Sequence, residues 1–267
     1  MSHTCLDLSN VFCNGWLVGF IEGEGTFSLF HDSCKARTLR PSFSIAQTKS
    51  TILHTLKDTI GLGHVSKTKI EIQSIEGFEK IIQLCNGNLK LPYRQQQFEK
   101  WLDIFNKNCI GKTSFIEYKM PRNPFLKTEW DRGWITGFSE AEGCFTIRKD
   151  GFPVFNVTNN DKVSLKIIKR FFGGGSIIPH GNGRAWRYQV MHDWNTLNKV
   201  KSLFEGNLKV DKKQKKFNRW IRLFDYNDPI RVQGREHERQ RNMIPNILRS
   251  TINHVIRESV ELCLETA

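Results

Sequence analysis

The sequence predicts an α+β fold in which one unit of helices and strands occurs twice in tandem. A twelve-residue segment that begins at Trp16 (WLVGFIEGEGTF) recurs 118 residues later at Trp134 (WITGFSEAEGCF). Four such blocks in one order indicate duplication of a unit of roughly 100 residues. The other three are FSIAQ at 43–47 with FNVTN at 155–159, GNLKL at 87–91 with GNLKV at 206–210, and Phe98, Trp101 and Phe105 with Phe217, Trp220 and Phe224.

The elements of the first copy follow from the spacing of its apolar residues. Helical spacing runs from Asn10 to Glu24, and Gly25 is a stop signal directly after it. Alternation of apolar and polar residues predicts strands over 26–30 and 40–47. The same criteria predict a helix over 51–60, a hairpin over 64–75, and helices over 78–85 and 95–105. Each copy is therefore αββαββα-like.

The repeat boundaries divide the chain into four parts. We predict a first repeat over 1–107, a linker over 108–128, a second repeat over 129–227 and a C-terminal extension over 228–267. Within the extension, residues 244–264 are predicted to form one or two helices. In the first repeat, four apolar strand residues are expected on the core face: Phe27, Leu29, Phe43 and Ile45.

Net charge indicates the kind of partner. The sequence has 40 Lys and Arg against 27 Asp and Glu, a formal net charge of +13, and 39% hydrophobic residues. That composition is too apolar for a disordered basic tail, and the positive excess favours nucleic acid or an anionic membrane surface. The longest apolar stretch, over 11–21, is much shorter than the roughly 20 residues of a membrane span, so a membrane-spanning protein is excluded.

The cysteines and the first residues bear on the cellular setting. Seven cysteines without a C-x-x-C pair make a weak pattern for a zinc site or a disulfide scaffold, and a reducing, intracellular setting is expected. No Lys or Arg precedes Lys35, unlike the start of a signal peptide or an Arg-rich transit sequence. Either the protein works where it is made, or its targeting signal is not a local N-terminal one.

Both copies of the repeated helix carry small residues at every fourth position, namely Gly15, Gly19 and Gly23 in the first and Gly133, Gly137 and Ala141 in the second. Residues i and i+4 share a helix face, and each internal glycine costs about 1 kcal/mol relative to alanine. Close packing of the two helices about a pseudo-twofold axis would explain the stripes. The alternative, that the glycines mark loops, leaves their conserved spacing between the copies unexplained.

An acid follows the last small residue of each stripe, Glu24 in the first copy and Glu142 in the second. Packed helices would bring these like charges together, which is unfavourable. A divalent cation would remove that cost, and oxygen ligands with water suit Mg²⁺. Glu22 and Glu140 lie two residues earlier, so we expect them to point elsewhere and make local hydrogen bonds at the helix end.

The segments 17–25 (LVGFIEGEG) and 135–143 (ITGFSEAEG) resemble the two motifs of a single-chain LAGLIDADG homing endonuclease, and the resemblance covers both repeats. It implies two four-stranded antiparallel sheets that form a saddle over the DNA major groove. It also implies site-specific cleavage of a long duplex target, mostly in genes interrupted by introns. Glu24 and Glu142 would hold the catalytic metals, with Mg²⁺ supporting cleavage and Ca²⁺ supporting binding with little cleavage.

The resemblance also implies polar and basic residues near each metal. The polar residue at the end of the second strand corresponds to Gln47 and Asn159, for which a helix cap is the alternative interpretation. The basic residue near the scissile phosphate corresponds to Lys213, with Lys212 second and Arg94 as the weaker candidate. The alternative for each of these three is a solvated cation at a helix start.

Contacts with DNA are expected on the outward side of the sheets and along a basic rim. The rim is the stretch 201–222, which holds eight Lys or Arg and two acids and would contact phosphates. In the major groove, Arg can pair with guanine and Asn or Gln with adenine. The candidate DNA-binding residues are Ser28, Phe30, Arg40, Ser42, Ser44, Ala46, Lys67 and Lys69 in the first half, and Thr146, Arg148, Asn156, Thr158, Arg184, Arg187 and Gln189 in the second.

Three functions are compatible with these features. The first is a monomeric, Mg²⁺-dependent, site-specific DNA endonuclease with no obligate protein partner and no membrane association. The alternatives are an RNA-binding intron maturase on the same fold and a catalytically inactive DNA-binding module. Both acids are present, which argues against the inactive module and against a pure maturase but does not exclude that both activities occur in one chain. The resemblance suggests an organellar or microbial intron, so a mitochondrion or another organelle is the expected location.

Overall fold

The computed structural model describes residues 6–31, 38–48, 51–109, 111, 113–121, 127–227 and 254. Apart from His254, the predicted C-terminal extension lies outside the described residues. No helix in the described part of the chain is long and apolar enough to cross a bilayer.

The first repeat has the predicted order of helices and strands. Helix α1 (Val11–Glu24) begins after Asn10, whose side-chain oxygen accepts hydrogen bonds from the backbone N–H of Phe12 and Cys13 at 2.9 and 3.2 Å. It continues directly into strand β1 (Gly25–His31). The further elements are β2 (Leu39–Ala46), α2 (Thr51–Ile60), β3 (His64–Val65), β4 (Lys69–Ile72), α3 (Ile75–Cys85) and α4 (Pro92–Asn108).

The second repeat has the same elements in the same order: α5 (Glu129–Glu142), β5 (Gly143–Ile147), β6 (Pro153–Asn159), α6 (Lys162–Phe172), β7 (Ser176–His180), β8 (Ala185–Val190), α7 (Trp194–Phe204) and α8 (Asp211–Asn227). Helix α6 ends at Gly173, whose φ of 77° is the left-handed conformation that glycine adopts without strain. The helical and strand periodicities therefore predicted the elements, with differences mainly at their ends.

Each repeat forms its own four-stranded antiparallel sheet. The strand order is β1-β2-β4-β3 in the first and β5-β6-β8-β7 in the second. Phe27 lies opposite Phe43 in the first sheet, and Phe145 lies opposite Phe155 in the second. The same order and the same register in both sheets confirm the α+β class and the duplication.

Aromatic side chains fill the first core between the sheet and helix α4. The ring of Phe27 lies 5.3 Å from that of Phe98 and 5.7 Å from that of Trp101. Phe43 and Ile45 are buried as predicted. Leu29 was expected on the same face, but it is 36% exposed, so that prediction is wrong. The reason is position, because Leu29 lies near the end of β1, which is an edge strand.

The second core repeats this arrangement. The ring of Phe145 lies 4.9 Å from Phe217 and 5.7 Å from Trp220. The buried indole N–H of Trp220 donates to the carbonyl of Val154 at 3.1 Å, just as Trp101 donates to Ser42 at 2.9 Å in the first core. Equivalent tryptophans therefore tie the last helix of each repeat to the second strand of its sheet.

Helices α1 and α5 pack along their stripes of small residues. A Cβ added to Gly19 would lie 2.2 Å from the carbonyl oxygen of Trp134, and one added to Gly137 would lie 1.9 Å from that of Trp16. Neither separation is possible for real atoms, so the predicted close approach of the two backbones is confirmed. Because of this packing, α5 and Leu208–Asp211 belong to one compact unit with the described residues of the first repeat, while 143–207 and 212–227 belong to the other.

Candidate active site

The two motif acids lie at the same end of the packed helices α1 and α5. Glu24 is the last residue of α1 and Glu142 is the last residue of α5, and both are half-buried. A Cβ added to Gly23 would lie 3.6 Å from Cγ of Glu142, which places that side chain beside the last turn of α1. Each carboxylate is at a helix C-terminus, where the helix dipole adds partial negative charge. A cation at this end would offset both the dipoles and the repulsion between the acids.

Gln47 orients the first of these carboxylates. The residue follows β2, and its Nε2 donates a hydrogen bond to Oε1 of Glu24 at 2.9 Å. Amides and carboxylates supply the oxygen ligands and the supporting hydrogen bonds that hard divalent cations require. The oxygen ligands at this end of the helices therefore suit Mg²⁺ better than a soft metal ion.

Asn159, which aligns with Gln47, makes a local hydrogen bond instead. Its Oδ1 accepts from the backbone N–H of Asp161 at 2.8 Å. The side chain of Asp161 then accepts from the N–H of Val163 at 2.8 Å and caps helix α6. This hydrogen bond agrees with the alternative interpretation of Asn159, in which a polar residue at the strand end leads into a helix cap.

Arg94 and Lys213 align in the two repeats. Each donates hydrogen bonds to backbone carbonyls at the C-terminal end of the motif helix of its own repeat or directly after it. Arg94 donates from Nε to the carbonyl of Glu22 at 2.9 Å and from Nη2 to that of Gly23 at 3.2 Å. The Nζ of Lys213 donates to the carbonyl of Gly143, the residue after Glu142. Cations are favourable at a helix C-terminus because they bind its unpaired carbonyls. Lys212, in contrast, is exposed to solvent.

Tyr93 is a neighbour of the acids that the sequence did not single out. Its hydroxyl donates to the carbonyl of Glu22 at 3.2 Å. Burial raises the pKa of this phenol, the nearby Arg94 lowers it, and the charges of Glu22 and Glu142 raise it further. The last effect indicates that Tyr93 lies within electrostatic reach of the second motif acid. Only the tertiary structure reveals it, because Tyr93 aligns with a lysine in the second repeat.

The two earlier motif acids, Glu22 and Glu140, are buried anchors between distant segments. The Glu22 carboxylate accepts from the backbone N–H of Lys90 at 2.9 and 3.1 Å, and from that of Leu91 at 2.7 Å. It also accepts from the indole N–H of Trp134 on the other motif helix at 2.5 Å. The expectation of local hydrogen bonds is therefore wrong, since every one of these donors is at least 68 residues away in sequence.

Glu140 makes the same set of hydrogen bonds in the second repeat. Its donors are the N–H of Lys209 at 2.9 and 3.1 Å, the N–H of Val210 at 2.7 Å and the indole of Trp16 at 2.5 Å. Each acid thus joins the segment just before its own repeat's last helix to the opposite motif helix. Burial raises the pKa of Glu22 to about 7, while the backbone donors and the indole act in the opposite direction.

The predicted DNA-binding residues of the first sheet lie on the face opposite to the core. Phe30 pairs with Arg40, Ser28 with Ser42, and Ala46 with Lys69, while Ser44 shares this face. Ser42 is only 5% exposed, contrary to the expectation that it faces solvent, because its short side chain lies on β2, which has a strand on each side. Thr26, His64 and Glu71 share the face by register and were not predicted.

In the second sheet, neighbouring polar groups orient the predicted DNA-binding residues. Arg187 lies 2.8 Å from Nε2 of His180 and donates to Oγ1 of Thr158 at 3.4 Å. Asn156 donates to Oγ1 of Thr146 at 3.1 Å and lies opposite Gln189. His180 was not predicted, because a single histidine at a strand end gives no sequence signal.

Three further predicted residues lie toward the strand ends. Nη1 of Arg148 approaches Nε2 of His192 at 3.0 Å, and its Nη2 forms an ion pair with Asp150 at 2.9 Å. Lys67 and Arg184 are exposed in the turns that join β3 to β4 and β7 to β8. Both turns are at the edge of their sheets, so these side chains can extend the outward face.

A duplicated α+β unit whose paired helices each end in an acid defines the class of two-motif LAGLIDADG proteins. The chain belongs to the LAGLIDADG endonuclease family, whose model matches residues 17–105 and 135–224. A similar fold is found in the crystal structure of the I-LtrWI LAGLIDADG homing endonuclease bound to target DNA, with a TM-score of 0.67 and 17% identity over 93% of this chain and 98% of that one.

Three curated relatives are similar in sequence. The probable intron-encoded endonuclease 4 of Neurospora crassa is 31% identical over 58% of this chain and 26% of its own length. The intron-encoded RNA maturase bI4 of Saccharomyces cerevisiae is 25% identical over 68% of this chain and 28% of its own. The intron-encoded DNA endonuclease ai2b of Dictyostelium discoideum is 24% identical over 72% and 70%. The chain spans about a quarter of the length of the first two.

Proposed function

We propose that this chain is a Mg²⁺-dependent, site-specific endonuclease that cuts both strands of a long DNA target, as an intron-encoded homing endonuclease does. The observation that carries the proposal is the pair of acids, Glu24 and Glu142, at the same end of two helices in backbone contact. Relatives named as intron-encoded endonucleases and a similar fold bound to target DNA support it.

In this proposal Glu24 and Glu142 hold the divalent cations. When bound, such ions supply an activated water and offset the charge of the phosphate under attack. Gln47 keeps the Glu24 carboxylate in one orientation through its 2.9 Å hydrogen bond. Lys213 acts near the phosphate of the second half, with Lys212 as its exposed neighbour, and Arg94 acts as the partner-side cation. Asn159 would act through its amide at the second strand end.

DNA would bind to the outward faces of the sheets. Arg40 and Lys69 in one half, and Arg148 and Arg187 in the other, combine positive charge with hydrogen-bond donors suited to guanine and to phosphates. Because both motifs are in one chain, we expect one monomer per duplex, without an obligate protein partner. Light scattering of the complex tests this, since two chains per duplex would contradict it.

The decisive experiment is cleavage of a randomised duplex library with Mg²⁺, followed by sequencing of the cut ends. We expect one preferred target with defined cut positions, and in Ca²⁺ we expect binding with little cleavage, because the larger ion is less demanding in geometry. Degradation without sequence preference, or the same cutting by a Glu24→Gln, Glu142→Gln double variant, would contradict the proposal.

A second candidate function is RNA maturation, which has two supporting observations. One relative is named an intron-encoded RNA maturase. The helices of the second repeat also carry a positive charge that the helices of the first repeat lack. Intron-related functions of either kind agree with an organellar gene, and we propose a mitochondrion or another organelle as the location.

A further inference from the structure

Two arginines of the second repeat lie against histidine rings. Nη2 of Arg187 is 2.8 Å from Nε2 of His180, and Nη1 of Arg148 is 3.0 Å from Nε2 of His192. A guanidinium stays charged and has only N–H groups, so it can donate hydrogen bonds but cannot accept them. In each pair the imidazole nitrogen must therefore be the acceptor, which requires a neutral histidine with its proton on Nδ1.

His180 and Arg187 share the outward face of the second sheet. By register Arg187 lies opposite Thr158 on β6 and opposite Ile178 on β7. His180 follows Ile178 by two residues, so its side chain is on the same face. Ile178 is 40% exposed, whereas Tyr188, the next residue after Arg187, is fully buried on the core face. Because Nε of Arg187 also donates to Oγ1 of Thr158 at 3.4 Å, the guanidinium is held from two sides.

His192 reaches Arg148 from a strained backbone. Its φ of 61° is in the left-handed region, which residues other than glycine rarely adopt and which is often found at functional sites. The His192 ring packs on the ring of Phe152 at 4.9 Å. Nη1 of Arg148 also approaches Sδ of Met191 at 2.9 Å, and its Nη2 pairs with Asp150 at 2.9 Å. These contacts fix the direction of the Arg148 guanidinium.

The first sheet gives its corresponding cation a different partner. The pair of Thr158 and Arg187 corresponds by register to the pair of Ala46 and Lys69. Lys69 forms an ion pair with Glu71 at 3.3 Å. A carboxylate of ordinary acidity is ionised from about pH 5.5 to 8, whereas histidine is the side chain that changes its charge in about this range. The partner of the cation therefore responds to pH in the second sheet and not in the first.

We propose that His180 and His192 determine the base preference in the second half of the DNA target, because they hold Arg187 and Arg148 in position to read guanine. An oriented guanidinium pairs with N7 and O6 of guanine in the major groove, whereas phosphate contacts carry no sequence information. Only neutral histidines can act in this way, since a protonated ring would present an N–H and a like charge to the guanidinium. The inference rests on the proposed function, because it assumes that DNA binds to the outward face of this sheet.

The strands and turns around the two histidines carry four cations and two acids: Arg148, Lys149, Arg184 and Arg187, and Asp150 and Asp193. Asp193 caps α7, and the hydrogen bonds that it accepts from Thr196 hold the pKa of Asp193 below its ordinary value, so it keeps its charge over this range. Asp150 is paired with Arg148. When His192 is protonated, that ion pair remains, and we expect the guanidinium to turn toward Asp150.

The first measurement needs no DNA. Nitrogen-15 NMR of the parent protein at pH 8 shows which ring nitrogen of each histidine carries the proton, and His180→Gln and His192→Gln assign the signals. We expect the proton on Nδ1 in both rings. A proton on Nε2 in either ring would overturn the proposal, because that nitrogen could not accept a hydrogen bond from the arginine.

The second measurement selects bound duplexes from a randomised library in Ca²⁺, at pH 8 and at pH 5.5, and sequences them. Arg148→Ala and Arg187→Ala identify the bases that each arginine reads. At those positions we expect the parent's preference for guanine to fall about tenfold at pH 5.5, which is the size of one bidentate contact. The base preference in the first half of the target should not change.

Variants at both histidines separate the orientation of the arginines from general effects of pH. His180→Gln, His192→Gln keeps an acceptor that does not titrate, so its guanine preference should persist at both pH values. His180→Ala, His192→Ala should lack the preference at both. His54→Gln, an exposed change on α2, is the control and should respond to pH like the parent protein.

Four outcomes of the selection would overturn the proposal. They are a guanine preference that does not change with pH, an equal loss in both halves of the target, a preference that the alanine variant keeps, and arginine variants that change no base preference. In each case a preferred target would still be found, so the proposed endonuclease function would stand. A library without any preferred sequence would contradict the proposed function as well.

Discussion

The two repeats differ where each second strand ends. In the first repeat Gln47 reaches the motif acid Glu24, whereas in the second repeat Asn159 uses its oxygen for a turn that leads into α6. The shorter side chain and the capping residue Asp161 two positions later account for this difference, since an asparagine readily accepts a hydrogen bond from the second following residue. Equivalent positions in a duplicated fold can therefore serve different purposes.

The largest expected effect comes from the two motif acids, where the repeats should behave alike. Glu24→Gln and Glu142→Gln each keep the size of the side chain and remove the charge. We expect cleavage to fall by about 10²- to 10³-fold or more in each, as when a key electrostatic group is lost from an active site. Stability should not fall, because the repulsion between the acids is relieved.

Cleavage rate and gel-shift affinity on the same duplex check this prediction. Specific binding should persist in both variants, because the proposed DNA-binding residues lie on the sheets. If one variant cut at nearly the parent rate, that acid would have no place in the active site and the two repeats would differ in mechanism.

The second test concerns the packed helices. Gly19→Ala and Gly137→Ala each add a methyl group where it would lie 2.2 and 1.9 Å from a backbone oxygen of the other helix. We expect each to lower the free energy of unfolding by about 3 kcal/mol, the upper end of the usual cost of overpacking. Urea denaturation measures it, and Gly151→Ala, whose added Cβ would meet nothing within 4 Å, is a control in a turn.

In that control, the positive φ of 86° at Gly151 adds a backbone cost of its own. The helix variants should therefore be compared with it rather than only with the parent protein. Losses in the helix variants no larger than in the control would mean that the helices adjust easily to the added methyl groups.

The third test uses pH and the buried anchor Glu22. Its pKa is about 7 in the folded protein against an ordinary value of 4.5, so the folded state retains a proton that the unfolded state releases. The stability contributed by protonated Glu22 is complete below pH 4.5 and is lost as the pH rises through 7. We expect the free energy of unfolding to fall by up to about 3 kcal/mol over this range from this group alone.

Urea denaturation at pH 5 and at pH 8 isolates this contribution when the parent protein is compared with Glu22→Gln. The variant should be less stable at pH 5, because the amide offers one acceptor oxygen to several N–H donors, and it should lack this part of the pH dependence. Glu76→Gln, an exposed change on α3, should keep the parent's pH dependence. An unchanged slope in Glu22→Gln would mean that Glu22 stays ionised throughout.

The smallest expected effect on cleavage concerns Gln47 and Asn159, the two amides at the strand ends. Gln47→Ala should lower cleavage by about 10- to 100-fold, the usual loss when a residue that orients a metal ligand is removed. Asn159→Ala should instead lower stability by about 1 kcal/mol through the lost turn hydrogen bond, with a smaller change in cleavage. Single-turnover cleavage and urea denaturation of both variants would settle the comparison. Equal losses of cleavage would show that Asn159 turns to the active site when DNA is bound.

Most of the fold was predictable from the sequence because it depends on local and repeated signals. Helical spacing, strand alternation and the matched blocks identified the elements of both repeats, and glycines at every fourth position predicted the contact between α1 and α5. The exposed position of Leu29 could not be predicted, because alternation assigns a face of a strand and does not show where the covering helices end.

For the site, the sequence by itself determined the pair of acids, since Glu24 and Glu142 follow from two copies of one motif on packed helices. Only the tertiary structure decided the roles of Glu22 and Glu140. Their donors come from segments at least 68 residues away in sequence, and no local pattern encodes such contacts. The same holds for Gln47 and Asn159, which align in sequence. Which hydrogen bond each one makes depends on side-chain length and on the distance to neighbouring groups, which are fixed only when the chain folds.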